Sequence, residues 1–311
     1  MFSHLATPVL WALGGLYGLL ITASLIVMVI RRQDPEKHRE LSARVNSWWV
    51  MIAIFTLAIA VSKRLSIIFF ALISFLALKE YLAMIATRRA DRRVVFWAFL
   101  AIPVQFYWVA IGWYGLFLIF IPIYMFLLIP TRMVLIGETK GFLYAAGTLH
   151  WGLMTTVFSI SHAAYLLALP ENSANPAGGP GLLFFLVFLS QFNDVTQYTW
   201  GKLFGKHPVV PKVSPKKTYE GLIGGVLTTT LTAWLIAPYL TPLEGGWAPV
   251  AGLIIGLSGF FGDVVISALK RDIGVKDSGN LIPGHGGIMD RIDSLTFTAP
   301  LFFHYLYYLY Y

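Results

Sequence analysis

The chain of 311 residues contains no cysteine, which removes at once a disulfide framework, a thiolate metal site and a cysteine nucleophile. Charge is scarce as well. Asp, Glu, Lys and Arg make up 12% of the residues, against 57% hydrophobic and 15% aromatic, whereas soluble domains run at about 25% charged and 45–50% apolar. With a mean hydropathy of +0.71, the composition excludes a soluble globular domain and specifies an integral membrane protein. No Lys or Arg precedes the first apolar run, Pro8 to Ile30. That run is too long for a signal-peptide core, so it is expected to be a retained transmembrane helix. No internal repeat or low-complexity tract is visible.

Apolar runs lie at roughly 8–30, 47–62, 65–87, 94–111, 114–130, 142–169, 181–200, 221–240, 248–268 and 292–311. At about 20 residues per crossing they predict an all-α polytopic protein with about ten transmembrane helices. Of the 23 Lys and Arg, all but Lys63, Arg64 and Lys79 fall in alternate loops starting with the first, which places the basic loops in the cytoplasm and both termini outward. The net charge of +8 therefore marks topology and anionic lipid headgroups and gives no reason to expect nucleic acid. The turn-rich stretch Glu171 to Gly181 has no basic residue. It reads as an outward loop and as the boundary between an N-terminal transmembrane region, residues 1–180, and a C-terminal one, residues 181–311, with cytoplasmic polar loops. Glu80, beside Lys79 in the third run, reads as a paired structural charge, with membership of a polar site as the alternative.

Polar residues gather in the second half, in three constellations. Asn193-Asp194 interrupts an apolar run, and on a helix Asp194 shares a face with Gln197 and Tyr198. The loop Gly201 to Gly221 holds five lysines, among them Lys206, Lys216 and Lys217, and a turn at Ser214-Pro215 before Thr218 and Glu220. Ammonium groups and free N–H groups near a helix start suit a polyphosphate, although the Walker spacing is missing; a plain topology anchor is the competing reading. The third constellation, Ser267 to Asp293, packs four bases (Lys270, Arg271, Lys276, Arg291) and four acids (Asp272, Asp277, Asp290, Asp293) into one segment. Asp263, Ser267 and Lys270 fall on one helical face, and Asp290 and Asp293 share another. Glycines 284, 286 and 287 allow close backbone approach around His285, a candidate phosphate donor, ligand or loop histidine. Carboxylates drawn together near a membrane call for a cation, and oxygen-only ligation points to Mg²⁺. Lysines, a carboxylate-bound cation and a glycine-rich turn are the parts of phosphoryl or nucleotidyl transfer.

The run from Ser267 to Asp293, SALKRDIGVKDSGNLIPGHGGIMDRID, resembles the signature of the phosphatidate cytidylyltransferases, or CDP-diacylglycerol synthases. Ser214 to Gly221, SPKKTYEG, is similar to that family's lysine loop, and Asp194 with Tyr198 to its acid–aromatic pair. The resemblance covers roughly residues 190–300. It implies CTP and phosphatidate as partners, CDP-diacylglycerol and pyrophosphate as products, Mg²⁺ as cofactor with room for a second cation, and a membrane-embedded homodimer. By the same resemblance Asp263 and Asp290 hold metal with Asp194 and Asp293 assisting, while Lys216, Lys217, Lys270 and Arg271 hold phosphates. Ser214, Thr218 and Glu220 shape the nucleotide pocket; Lys206 and Arg291 join the substrate-binding set, and His285 the catalytic one. The chain lacks the long hydrophilic N-terminal region of eukaryotic relatives, so a bacterial inner membrane is expected, with the site on the cytoplasmic side. Asn193 and Gln197 depart from the family pattern and leave another lipid phosphate open as substrate. A secondary transporter and a silent lipid-binding paralogue are the rival classes; the absence of paired repeats weighs against the first.

Overall fold

A computed structural model describes residues 5–33, 39–85, 88–279, 281 and 286–311, with the backbone alone for Gln33, Arg39, Glu40 and Arg89. In hydrocarbon every backbone N–H and C=O must be bonded within its own segment, which makes apolar runs of this length helical. In chain order the elements are α1 (Thr7–Gln33), α2 (Arg39–Val61), α3 (Lys63–Met84), α4 (Arg92–Ile111), α5 (Tyr114–Val134) and α6 (142–165). They continue with α7 (Gly178–Phe204), strands β1 (Pro208–Val210) and β2 (Ser214–Thr218), α8 (Tyr219–Leu240), α9 (Trp247–Asp272), the short α10 (Met289–Ile292) and α11 (Leu295–Tyr310). Both α5 and α6 widen into a π turn, at Phe120–Met125 and Met154–Phe158.

Among the described residues seven helices, α1 to α5 with α8 and α9, are long and apolar enough to cross a membrane. The all-α membrane architecture expected from composition is the one observed. The expected count of ten is not confirmed: α6, α7 and α11 do not meet that criterion, α7 because it turns polar from Ser190 onward and α11 because it has 16 residues. The Lys63-Arg64 break is a tight corner between two full helices, where Ser62 Oγ accepts the Leu65 N–H at 3.2 Å as an N-cap.

In the C-terminal half, α8 lies between α7 and α9, and α11 packs on α9 and on residues 159–165 of α6. Glycines make the α7–α8 contact close: a Cβ at Gly225 would meet the Gln197 backbone nitrogen at 2.9 Å. The core is continuous across both halves, running from Leu5 to Leu306. Phe117 and Tyr165 from the N-terminal half sit ring against ring with Phe303 of α11. This shared core holds the ends of α3, α7, α9 and α11 in register, and that is where the polar residues meet.

Candidate active site

One cluster forms where α7, α9 and the α10–α11 junction converge. Asp263 of α9 accepts the Ser267 hydroxyl on Oδ1 at 3.1 Å and pairs through Oδ2 with Lys217 Nζ at 2.7 Å. The same ammonium lies 4.6 Å above the Phe260 ring, a cation–π placement. Asp194 of α7 holds the Ser294 hydroxyl 2.9 Å from each of its oxygens, and Asp293 Oδ1 accepts the Ser294 N–H at 2.8 Å. Close packing depends on Gly262, where a Cβ would come within 2.6 Å of the Asp293 carbonyl oxygen. Burial, and then the negative charges of Asp263 and Asp194, hold Asp293 well above the usual carboxylate range. Carboxylates in this arrangement repel one another until a proton or a cation joins them.

A second cluster lies alongside. Lys270, on the same helix as Asp263 and only 8% exposed, donates from Nζ to Asp290 Oδ1 at 2.7 Å. Asp290 Oδ2 accepts the Ser278 N–H at 2.9 Å and the Gly287 N–H at 3.0 Å. Burial pushes the Asp290 carboxyl up, but the Lys270 ammonium and these two amides outweigh it and leave it below the ordinary carboxylate value. Gly286 takes a left-handed φ of 77°, a conformation glycine adopts at no steric cost. Glu80 reaches the same loop from α3: Oε1 accepts the Ile288 N–H at 2.9 Å, while Oε2 accepts the Met289 N–H at 2.9 Å and the Ser278 hydroxyl at 3.2 Å.

The lysine stretch between α7 and α8 is a β-hairpin. Pro208 pairs with Thr218 and Val210 with Ser214, so the reversal falls at 211–213 and the expected turn at Ser214-Pro215 is corrected to strand. Glu220 closes the hairpin's base, accepting the Lys206 N–H at 3.1 Å, the His207 N–H at 3.3 Å and bonding His207 Nδ1 at 2.6 Å. Thr218 Oγ1 caps α8 by accepting the Gly221 N–H at 3.2 Å. Arg271 ties the hairpin to α9, donating from Nε to the Val213 carbonyl at 3.3 Å and from Nη1 to the Val275 carbonyl at 3.2 Å. Successive strand residues face opposite sides, so Lys217 turns into the first cluster while Lys216 is exposed, as is Lys206.

The structure thus brings Lys217, Asp263, Asp194 and Asp293 together and sets Lys270 with Asp290 beside them. Asp263 takes its ammonium from Lys217, while Lys270, further along the same face of α9, pairs with Asp290. The Glu80–Lys79 pairing is corrected: the Glu80 carboxylate is bonded to Ser278, Ile288 and Met289, and Lys79 is exposed. Arg291 is half-buried, and its Nε has no hydrogen-bond partner among the described residues. His285 and Gly284 lie outside the described residues. Asn193 is buried in helix packing, with Nδ2 donating to the Gly256 carbonyl at 3.1 Å and Oδ1 accepting from Thr229 at 3.1 Å. Gln197 donates to the same carbonyl at 3.4 Å, and Tyr198 is exposed. Sequence reasoning did not single out Ser278, Ser294 or His207; their only sequence signal is adjacency to the charged stretches.

Among the described residues no three His, Asp or Glu side chains are arranged closely enough to hold a metal ion as they stand. In donor chemistry Asp194, Asp263 and Asp293 still fit a hard divalent cation, being all-oxygen, half-buried and mutually repelling. Asp290 fits less well, since its two oxygens already take three donors, two of them backbone N–H groups. Beside the carboxylates, α9 and α11 leave an apolar groove of about 380 Å³ lined by Ile254, Leu257, Ser258, Phe261, Phe297 and Leu301.

A family model described as "Cytidylyltransferase family" matches residues 42–309. The chain is 48% identical over 298 residues, 96% of its length and 98% of the relative's, to the uncharacterized protein YnbB of Escherichia coli K12. It is 42% identical over 140 residues to the phosphatidate cytidylyltransferase of Mycobacterium leprae, covering 45% of each chain. With the phosphatidate cytidylyltransferase of Haemophilus influenzae it shares 41% over 148 residues, 46% of this chain and 51% of that one. The chain therefore matches about half the length of these two named enzymes.

Proposed function

Because this chain belongs to the cytidylyltransferase family and is a membrane-embedded nucleotidyltransferase, we propose that its reaction moves CMP from CTP to phosphatidate, giving CDP-diacylglycerol and pyrophosphate. The observation that carries this reading is the joining of two lysine–carboxylate pairs, Lys217 with Asp263 and Lys270 with Asp290, beside Asp194 and Asp293 at the ends of membrane helices. A nucleoside triphosphate and a lipid phosphate bring several negative charges to one place, and such a site must offset them without supplying a nucleophile of its own.

In the reaction an oxygen of the phosphatidate phosphate bonds to the α-phosphorus of CTP as the bond from that phosphorus to the pyrophosphate oxygen breaks. Lys217, delivered by β2, neutralises phosphate charge next to Asp263, and Lys216 and Lys206 on the exposed side of the hairpin attract the triphosphate from solution. Asp290 holds Lys270 so that its ammonium faces the same region. Glu220 and Thr218 fix the hairpin on α8, Ser214 lies in its second strand, and Arg271 ties its turn to α9. Arg291, whose Nε has no partner among the described residues, is a further hydrogen-bond donor to phosphate oxygens. Mg²⁺ held by Asp263 with Asp194 and Asp293 would offset charge on the transferring phosphorus. The apolar groove between α9 and α11 begins within one helical turn of both Asp263 and Asp293, which suits a substrate whose phosphate is polar and whose tails stay in lipid. A site facing the cytoplasm of a bacterial inner membrane is the reading that the basic hairpin and the basic stretch after α9 support.

The test is CTP-dependent formation of a liponucleotide from phosphatidate and Mg²⁺ by the purified protein in mixed micelles, beside Asp263→Asn. Product from the wild type and a loss of at least about a hundredfold in the variant, the scale of removing a charge stabiliser, support the reading. A folded wild type that gives no product from phosphatidate, or gives it only from another lipid phosphate, overturns it.

A further inference from the structure

Glu80 belongs to α3, about 200 residues before the segment it binds: its partner Ser278 is 198 positions away and Met289 is 209. Its two oxygens receive three donors, one from the residue where the glycine-rich loop leaves and two from where it returns. Asp290 bonds the backbone N–H groups of Ser278 and Gly287 at the same two points. The two carboxylates therefore close the neck of the loop from opposite sides, Asp290 from within the C-terminal half and Glu80 from outside it. Gly287 is shaped to this contact: a Cβ there would overlap Glu80 Oε2 and the Ser278 hydroxyl. Gly279, across the neck, would bring its Cβ to 3.2 Å from Glu80 Oε1. Two glycines of the loop thus lie where only a bare backbone admits the Glu80 carboxylate.

We infer that Glu80 is a positioning residue for the transferase site, the clasp by which α3 holds Ser278 against Ile288 and Met289 and keeps Asp290 aimed at Lys270. The inference rests on the proposed reaction for its kinetic consequence, but the clasp itself is a statement about the loop. Ionised carboxylate oxygens accept backbone N–H groups with about twice the strength of neutral acceptors, so a neutral or shorter side chain at position 80 leaves Ile288 and Met289 without a fixed partner. Lys270 then loses its orientation through Asp290, and Ser278 is no longer held against Ile288 and Met289.

The absence of cysteine makes the test direct. A single spin label at Leu281→Cys, an exposed site on the loop, reports loop mobility in the full-length protein in micelles. It is compared in the Glu80, Glu80→Ala, Glu80→Asp and Lys79→Ala backgrounds, together with kcat, the KM for CTP and helix unfolding by circular dichroism. The expected result is a mobilised label in Glu80→Ala and a fall in kcat of at least tenfold. Glu80→Asp should recover part of both, Lys79→Ala should match the wild type, and the helix unfolding midpoint should stay within a few degrees. An immobile label in Glu80→Ala overturns the inference, as does a mobilised label with wild-type kinetics, or a loss of activity that only follows a large fall in the unfolding midpoint. If the wild type makes no liponucleotide, the transferase reading fails on its own, and the label still decides whether Glu80 holds Ser278 against Ile288 and Met289.

Discussion

At the scale of single residues the site is organised by which carboxylate has its charge answered locally. Asp290 is bonded to Lys270 and to two amides and sits below its ordinary value; Asp293 faces other carboxylates and sits well above it. Removing one partner of a buried pair leaves an uncompensated charge, which costs about 3–5 kcal/mol. Asp290→Asn is therefore expected to lower both activity and thermal stability, read by product formation and by the unfolding midpoint in detergent. The pH dependence has a definite sign. A carboxylate whose folded pKa is depressed contributes stability above its unfolded value, and that stability is lost as pH falls through the folded one. Raising the pH from 5 to 7 should leave the Asp290 contribution unchanged, and it should fade only below about pH 4. The unfolding midpoint of Asp290→Asn, followed over the same range, should lack that acid step.

At the scale of elements, helix packing and the hairpin place the lysines. Gly221 of α8 lies against α7 backbone, where a Cβ would meet the Gln197 carbonyl oxygen at 2.8 Å and the Gly201 Cα at 3.1 Å. Gly15 of α1 has nothing within 4 Å of such a Cβ. Gly221→Ala should therefore destabilise by about 1–3 kcal/mol through overpacking, whereas Gly15→Ala should be neutral or stabilising by up to about 1 kcal/mol through helix propensity. Thermal unfolding of the two variants in one detergent compares them. The hairpin itself was hard to read from sequence. Proline and lysine are depleted in strands, and Ser-Pro is a common turn start, so SPKKT looked like a turn. It is strand because Glu220 and His207 close its base and Arg271 holds its turn, none of which is a local property of those five residues.

At the scale of the whole molecule, one core joins the two halves. The division at residue 180 marks where the signature-bearing half begins, yet Tyr165 and Phe117 pack on Phe303 and Glu80 reaches the loop after α9. Residues 181–311 produced alone should show below about 1% of the full-length liponucleotide synthesis. Co-production with residues 1–180 should restore a measurable fraction, assayed in membranes from each strain.

The sequence by itself determined the solvent, the helical class and the chemical types present, because hydrocarbon leaves a backbone little choice but helix and because charge in such a chain is concentrated where it is used. It placed Lys217, Asp263, Asp290 and Asp293 among the candidates through residue type and a long gapped motif. Only the tertiary structure decided how those charges are matched: Lys217 with Asp263, Lys270 with Asp290, and Glu80 with a loop 198 or more positions away. Helical spacing tells which residues share a face of one helix. It is silent on which other helix that face meets, since this depends on close approach at Gly225 and Gly262, features set by packing across the whole bundle.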